Sequence, residues 1–203
     1  AAEIGLTKRI LGFGFGDMQV AWVGEENEAL CGKRVPELAA EWGVSELDAY
    51  LRLADASGGT GRLNLYRYYD EATVSALVRH GPSLFMTDAW IEDKGVQNAA
   101  AFSSFPRFLQ RSREGMGLSL EETVRKMTGA TADRFGIPRR GYLRAGYAAD
   151  VAVFDPSTVA AKGDSPERPA GIDRVFVNGA QVVSGGAADV ARMLGAGRIL
   201  ARG

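Results

Sequence analysis

Two residue types that build most reactive centres are almost missing from this 203-residue chain, which has one histidine, His80, and one cysteine, Cys31. A single cysteine excludes an internal disulfide and any multi-cysteine zinc site, and it permits a reducing, cytoplasmic setting. A single histidine excludes a multi-histidine centre built from this chain alone. Charge of one sign is also lacking: 24 basic and 25 acidic residues leave a formal net charge of −1. No basic footprint for nucleic acid or an anionic membrane surface follows from that balance. No apolar run approaches the roughly 20 residues of a membrane-spanning helix, and no basic-then-apolar signal segment opens the chain. Hydrophobic content of 46% and charged content of 24% match a folded soluble domain, with small molecules or proteins as the expected partners.

The pattern along the chain is one of strands and helices in alternation. A glycine-rich stretch with Gly12, Gly14 and Gly16 leads into Met18, Val20 and Trp22, which alternate as a strand does. Its glycine spacing is not that of a dinucleotide fingerprint. Val35, Leu38, Ala39 and Trp42 recur at helical spacing up to Gly43, and Ser45 caps a second helix carrying Leu47, Leu51 and Ala54. Arg62 to Tyr68 alternates again, with Tyr66 or Tyr68 placed to line a pocket or to pack, and Asp70 is positioned to cap a helix through Val74, Leu77 and Val78.

After His80, Gly81 and Pro82 force a turn, and Ser83 to Asp88 reads as a short buried strand with a carboxylate at its carboxyl end. Alternating elements imply parallel strands with crossover helices, and in such folds sites gather at the carboxyl ends of strands. Ala89 to Ser104 reads as a loop over that end. Ser119 and Glu122 form a capping box for a helix ending near Gly136 and Pro138. Beyond it the pattern becomes β: Tyr147 to Asp155 and Arg174 to Val183 read as strands, with Asn178-Gly179 as a two-residue hairpin turn.

Three segments then carry a family likeness: Leu118 to Gly136 (LSLEETVRKMTGATADRFG), Arg140 to Pro156 (RGYLRAGYAADVAVFDP) and Gly171 to Val183 (GIDRVFVNGAQVV). In that order and spacing they resemble the closing part of the N-acyl-D-amino-acid deacylases and the wider dihydroorotase-like amidohydrolases. The resemblance implies an α/β fold, the carboxyl-terminal part of a metal-dependent (β/α)8 TIM barrel in residues 1–137, followed by a segment of a small β-sandwich in residues 138–203. It implies a small-molecule amide as substrate and zinc or a similar divalent metal as cofactor. Thr87-Asp88-Ala89 stands where that family has Ser-Asp-Gly, so Asp88 is the expected catalytic acid–base and a metal ligand. Arg107, in Phe105-Pro106-Arg107, matches the family's Phe-Pro-Arg and is a candidate substrate contact beside Tyr66, Tyr68 and Asp70, or a structural anchor.

Two departures qualify the likeness. The family's His-x-His pair and further histidines are not in this chain, which implies a fragment or one piece of a split enzyme, inactive alone and completed by the remaining barrel or by another chain. Asn98-Ala99-Ala100 replaces His-Pro-Arg, so no guanidinium reads a substrate carboxylate from position 100. Asp70 in place of a serine would favour a cationic or neutral substrate. The alternatives are a neutral cyclic amide or dipeptide as substrate, or a non-catalytic assembly module. His80 reads as a loop residue at a helix end and Cys31 as a packed side chain.

Overall fold

The computed structural model describes residues 14–66, 70–89, 91–163 and 167–200. Tyr68 lies outside the described residues, as does Gly12. The chain divides into two compact units, one formed by Ala1–Val74 with Trp90–Asn98 and the other by Ser75–Ala89 with Ala99–Gly203.

In the first unit strand β1 (Met18–Trp22) pairs antiparallel with β2 (Arg62–Leu65), Met18 facing Leu65 and Val20 facing Leu63. Two helices lie between them in sequence. Helix α1 (Val35–Trp42) carries Pro36 in its first turn and stops at Gly43, whose φ of 64° is the left-handed conformation that closes a helix. Helix α2 (Glu46–Ala56) is capped by the Ser45 hydroxyl, which accepts from the Asp48 amide. Their inner faces bury Val35, Leu38, Ala39, Ala49 and Leu53 against Val20 and Val23 of the β1 region. The returning segment 91–98 is stitched to the sheet: the Val96 amide donates to the Ala21 carbonyl, and the Arg62 guanidinium donates to the Lys94 carbonyl.

Helix α3 (Glu71–Arg79) crosses the division between the units. Asp70 caps it as the sequence suggests, its carboxylate accepting from the Thr73 amide at 2.8 Å. The second unit continues through segment 83–89 and on to helix α4 (Ala100–Arg113), then α5 (Leu120–Met127) and α6 (Gly129–Phe135). Ser119 caps α5, its hydroxyl accepting from the Glu122 amide, but the Glu122 carboxylate pairs with Arg125, so only this half of the expected capping box is seen. One helix expected up to Gly136 is in fact two, broken at Thr128 with φ −127° and ψ −91°. A side chain at Gly129 would strike the Tyr142 ring at 2.5 Å, so the chain must restart there on a residue without a Cβ.

The last part is a four-stranded antiparallel sheet, β3 (Val151–Phe154), β4 (Ile172–Val177), β5 (Ala180–Ser184) and β6 (Ala187–Ala188), in that order, followed by a single helical turn, α7 (Val190–Met193). Asn178 and Gly179 hold φ of 48° and 85° between β4 and β5, the two-residue turn that the dipeptide suggests. The turn is tied down from outside: the Asn178 amide donates to the Asp150 carboxylate, and Arg140 pairs with Asp150 and donates to the Asn178 side chain.

Three expectations are corrected. Among the described residues every strand pair is antiparallel, so the parallel pairing inferred from alternation is not found there. Period and order cannot tell direction when the partner is two helices away. Residues 83–89 form no ladder, because a strand needs a neighbour and none of the described strands pairs with them. The loop after Asp88 ends at Ala99, where α4 begins: alanine and long side chains favour a helix even with Pro106 inside it.

Candidate active site

Asp88 is exposed near the end of the irregular segment 83–89, in the second unit. A segment without ladder bonds has to be held by its side chains and by what reaches its carbonyls, and three contacts do so here. At its start, the Lys126 ammonium of α5 donates to the carbonyls of His80 at 2.7 Å, Gly81 at 3.2 Å and Ser83 at 2.9 Å. In its middle, Phe85 is buried and stacks on Phe108 of α4, the ring centroids 4.1 Å apart and the planes 8° from parallel. At its end, the Thr87 hydroxyl donates to the Ala100 carbonyl at 2.8 Å, on the first turn of α4. Ser104, one turn on, donates to the same carbonyl.

The neighbour of Thr87 is therefore position 100, where an arginine was expected and an alanine stands. Arg107, on the same helix, donates through Nη2 to the Gly163 carbonyl at 2.7 Å and so ties α4 to the loop between β3 and β4. Tyr66 and Asp70 belong to the first unit. The Tyr66 hydroxyl donates to the Gln19 side chain at 3.0 Å, and the Arg34 guanidinium lies 5.1 Å over its ring. The Thr73 hydroxyl and amide hold the exposed Asp70 carboxyl below the usual carboxylate range. That carboxylate is thus anionic at neutral pH, as a cap and as any ligand contact.

A carboxylate offers hard oxygen donors suited to a zinc-class ion, and Asp88 can supply one such ligand. Among the described residues no group of three His, Cys, Asp or Glu side chains is placed to hold a metal ion. This stretch of chain fits a metal as the source of one ligand of a larger set. His80 is exposed at the turn after α3, and only its backbone carbonyl meets Lys126. Cys31 is half-buried, and burial pushes its thiol up, away from a reactive thiolate at neutral pH.

Lys126 is the residue that pattern reading passes over. It is 1% exposed on the buried side of α5 with Thr123, whereas the apolar residues Val124 and Met127 mark a face one residue away. Residue type gives no sign of it, because a lysine is read as solvated unless something is known to accept from it.

A family model described as Amidohydrolase family matches residues 32–183. A D-aminoacylase from Alcaligenes xylosoxydans xylosoxydans is 41% identical over 157 residues, which cover 75% of this chain and 31% of that protein. A solved D-aminoacylase studied for its binuclear metal centre, with one-metal activation and second-metal attenuation, superposes with a TM-score of 0.79 at 34% identity, over 96% of this chain and 39% of that one. An N-acyl-D-glutamate deacylase from Bordetella bronchiseptica, complexed with zinc and a phosphonate that mimics the tetrahedral intermediate, gives a TM-score of 0.71 at 32% identity, over 83% of this chain and 35% of that one. The chain spans about a third of the length of the curated relatives it matches.

Proposed function

This chain belongs to the amidohydrolase family, and from that premise we propose that it is the carboxyl-terminal part of a metal-dependent hydrolase of amide C–N bonds, acting as an N-acyl-D-amino-acid deacylase. Residues 1–137 are assigned to the last units of a (β/α)8 barrel and residues 138–203 to a β-sandwich segment. The antiparallel sheet β3 to β6 lies within the second range, which supports that division. The rest of the barrel, from the same chain or another, is the partner that completes the site.

Thr87-Asp88 carries the reading: the carboxylate is exposed on a segment that side-chain contacts hold at three points. A zinc-class ion, when bound, supplies Lewis acidity that brings the pKa of a coordinated water toward ~7. Asp88 would be one of the residues that hold such an ion, and its carboxylate would take the proton of the attacking water. It then delivers that proton to the departing nitrogen, so that the C–N bond breaks to a neutral amine and not to an amide anion. Thr87, bonded to α4, keeps the carboxylate from swinging away.

Substrate choice is proposed from the same helix. With Ala100 beside Thr87 in place of an arginine, an α-carboxylate finds no guanidinium fork at that point, and Asp70 would add repulsion if it faced the substrate. An acyl amine without a free carboxylate, such as a dipeptide-like or cyclic amide, is the second reading that this observation favours. The complete natural protein, analysed for metal and assayed against N-acyl-D-amino acids and neutral amides side by side, tests both. Stoichiometric transition metal with turnover of either class supports the hydrolase. Absence of metal and of turnover on both classes sinks it and leaves an assembly module.

A further inference from the structure

Among the described residues Lys126 is the buried cation whose partners lead directly to the candidate catalytic segment. An ammonium taken out of water costs several kcal/mol unless its donors are met. Here all three N–H groups have an acceptor, and all three acceptors are backbone carbonyls: His80, Gly81 and Ser83. No ion pair to Lys126 occurs among the described residues. A pair of opposite charges is therefore not what retains it. A methionine of similar volume would fill this face of α5 but would leave the three carbonyls without their shared donor. What only the ammonium does is gather three carbonyls of one turn onto a single point.

That turn launches the segment ending at Asp88. Residues 83–89 have no ladder to fix their direction, so the heading of the chain is set where it leaves the turn and at the Phe85 and Thr87 contacts further on. We infer that Lys126 is a positioning residue for Asp88: by binding the carbonyls of His80, Gly81 and Ser83 it fixes the turn from which the Asp88 segment extends. This rests on the reading of Asp88 as the proton carrier.

The test uses the complete natural protein with Lys126→Met, Lys126→Gln, Thr123→Val and Asp88→Asn. Lys126→Met removes the charge at nearly constant volume and is expected to lower kcat about 10- to 100-fold, the scale of a ~1 Å misplacement of a catalytic group, with KM little changed. Lys126→Gln keeps two N–H donors on a shorter arm and is expected to fall between it and the parent. It also stands in if the methionine variant does not fold. Thr123→Val alters the same buried face without touching the turn, since the Thr123 hydroxyl donates to Ser119 within its own helix, and it should leave kcat unchanged. The acid limb of the kcat–pH profile should move in both Lys126 variants and not in Thr123→Val.

Native-state trypsin cleavage after Arg79, which precedes the turn, gives a reading independent of turnover. It should quicken in the Lys126 variants while cleavage after Arg52 in α2 stays constant. A folded Lys126 variant with the parent's kcat, pH profile and Arg79 cleavage overturns the inference. If Asp88→Asn cuts kcat and the Lys126 variants do not, only the positioning role fails. If Asp88→Asn keeps full turnover, the reading of Asp88 fails, and the role assigned to Lys126 falls with it even when cleavage after Arg79 quickens.

Discussion

Ala100 bears most directly on substrate choice, because its carbonyl is bonded by the residue next to Asp88. Substituting Ala100→Arg should give N-acyl-D-amino acids a charge-assisted partner. Such bonds are worth about 1.5–3 kcal/mol, so their KM should fall roughly 10- to 100-fold while neutral amides are unaffected. An equal effect on both substrate classes would contradict the placement. Asp70 makes a prediction of a different kind. Its folded pKa is depressed, so its charge contributes stability fully above the ordinary carboxylate pKa, and that contribution is lost as pH falls through the lower folded value. Asp70→Asn, which still caps the helix, should therefore be less stable than the parent above roughly pH 4 and converge with it in more acid solution. Denaturant midpoints measured across that range check the sign. At this scale the sequence showed what is local. Asp70 as a cap and Asn178-Gly179 as a turn follow from residue type within three positions, whereas the partners of Lys126 lie more than 40 residues away and leave no mark on its neighbours.

At the scale of elements, helices with caps and a stop were legible and lone strands were not. Helices α1 and α2 begin and end where Pro36, Gly43 and Ser45 put them. The direction of β1 against β2 and the missing ladder of residues 83–89 depend on a neighbour far off in sequence. The return of segment 91–98 to β1 is equally non-local, and it rests on one glycine. A Cβ on Gly95, which has φ of +81°, would lie 2.1 Å from the Ala21 carbonyl oxygen. Gly95→Ala should cost at least about 1–3 kcal/mol through strain and the backbone clash. The unfolding free energy measures it, and a loss below a few tenths of a kcal/mol would show that the segment is not held there.

For the molecule as a whole, the single histidine and the span of about a third of the curated relatives bear on the same point. Residues 1–203 alone should not hydrolyse N-acyl-D-amino acids or neutral amides, and turnover above buffer with purified chain would contradict this. Large side chains such as Leu143 at 80% and Leu194 at 78% exposure lie open among the described residues. The family was readable because its closing segments retain their order. The antiparallel pairing in the first unit was not, for want of any residue that encodes direction.

The central claim is that Asp88 moves the proton that lets the nitrogen leave, and kcat of Asp88→Asn in the complete, metal-loaded protein tests it most directly. The substitution keeps size and exposure and removes the base. Asp88→Asn should lower kcat about 10²- to 10⁴-fold in a protein that folds as before. Turnover equal to the parent's would contradict it.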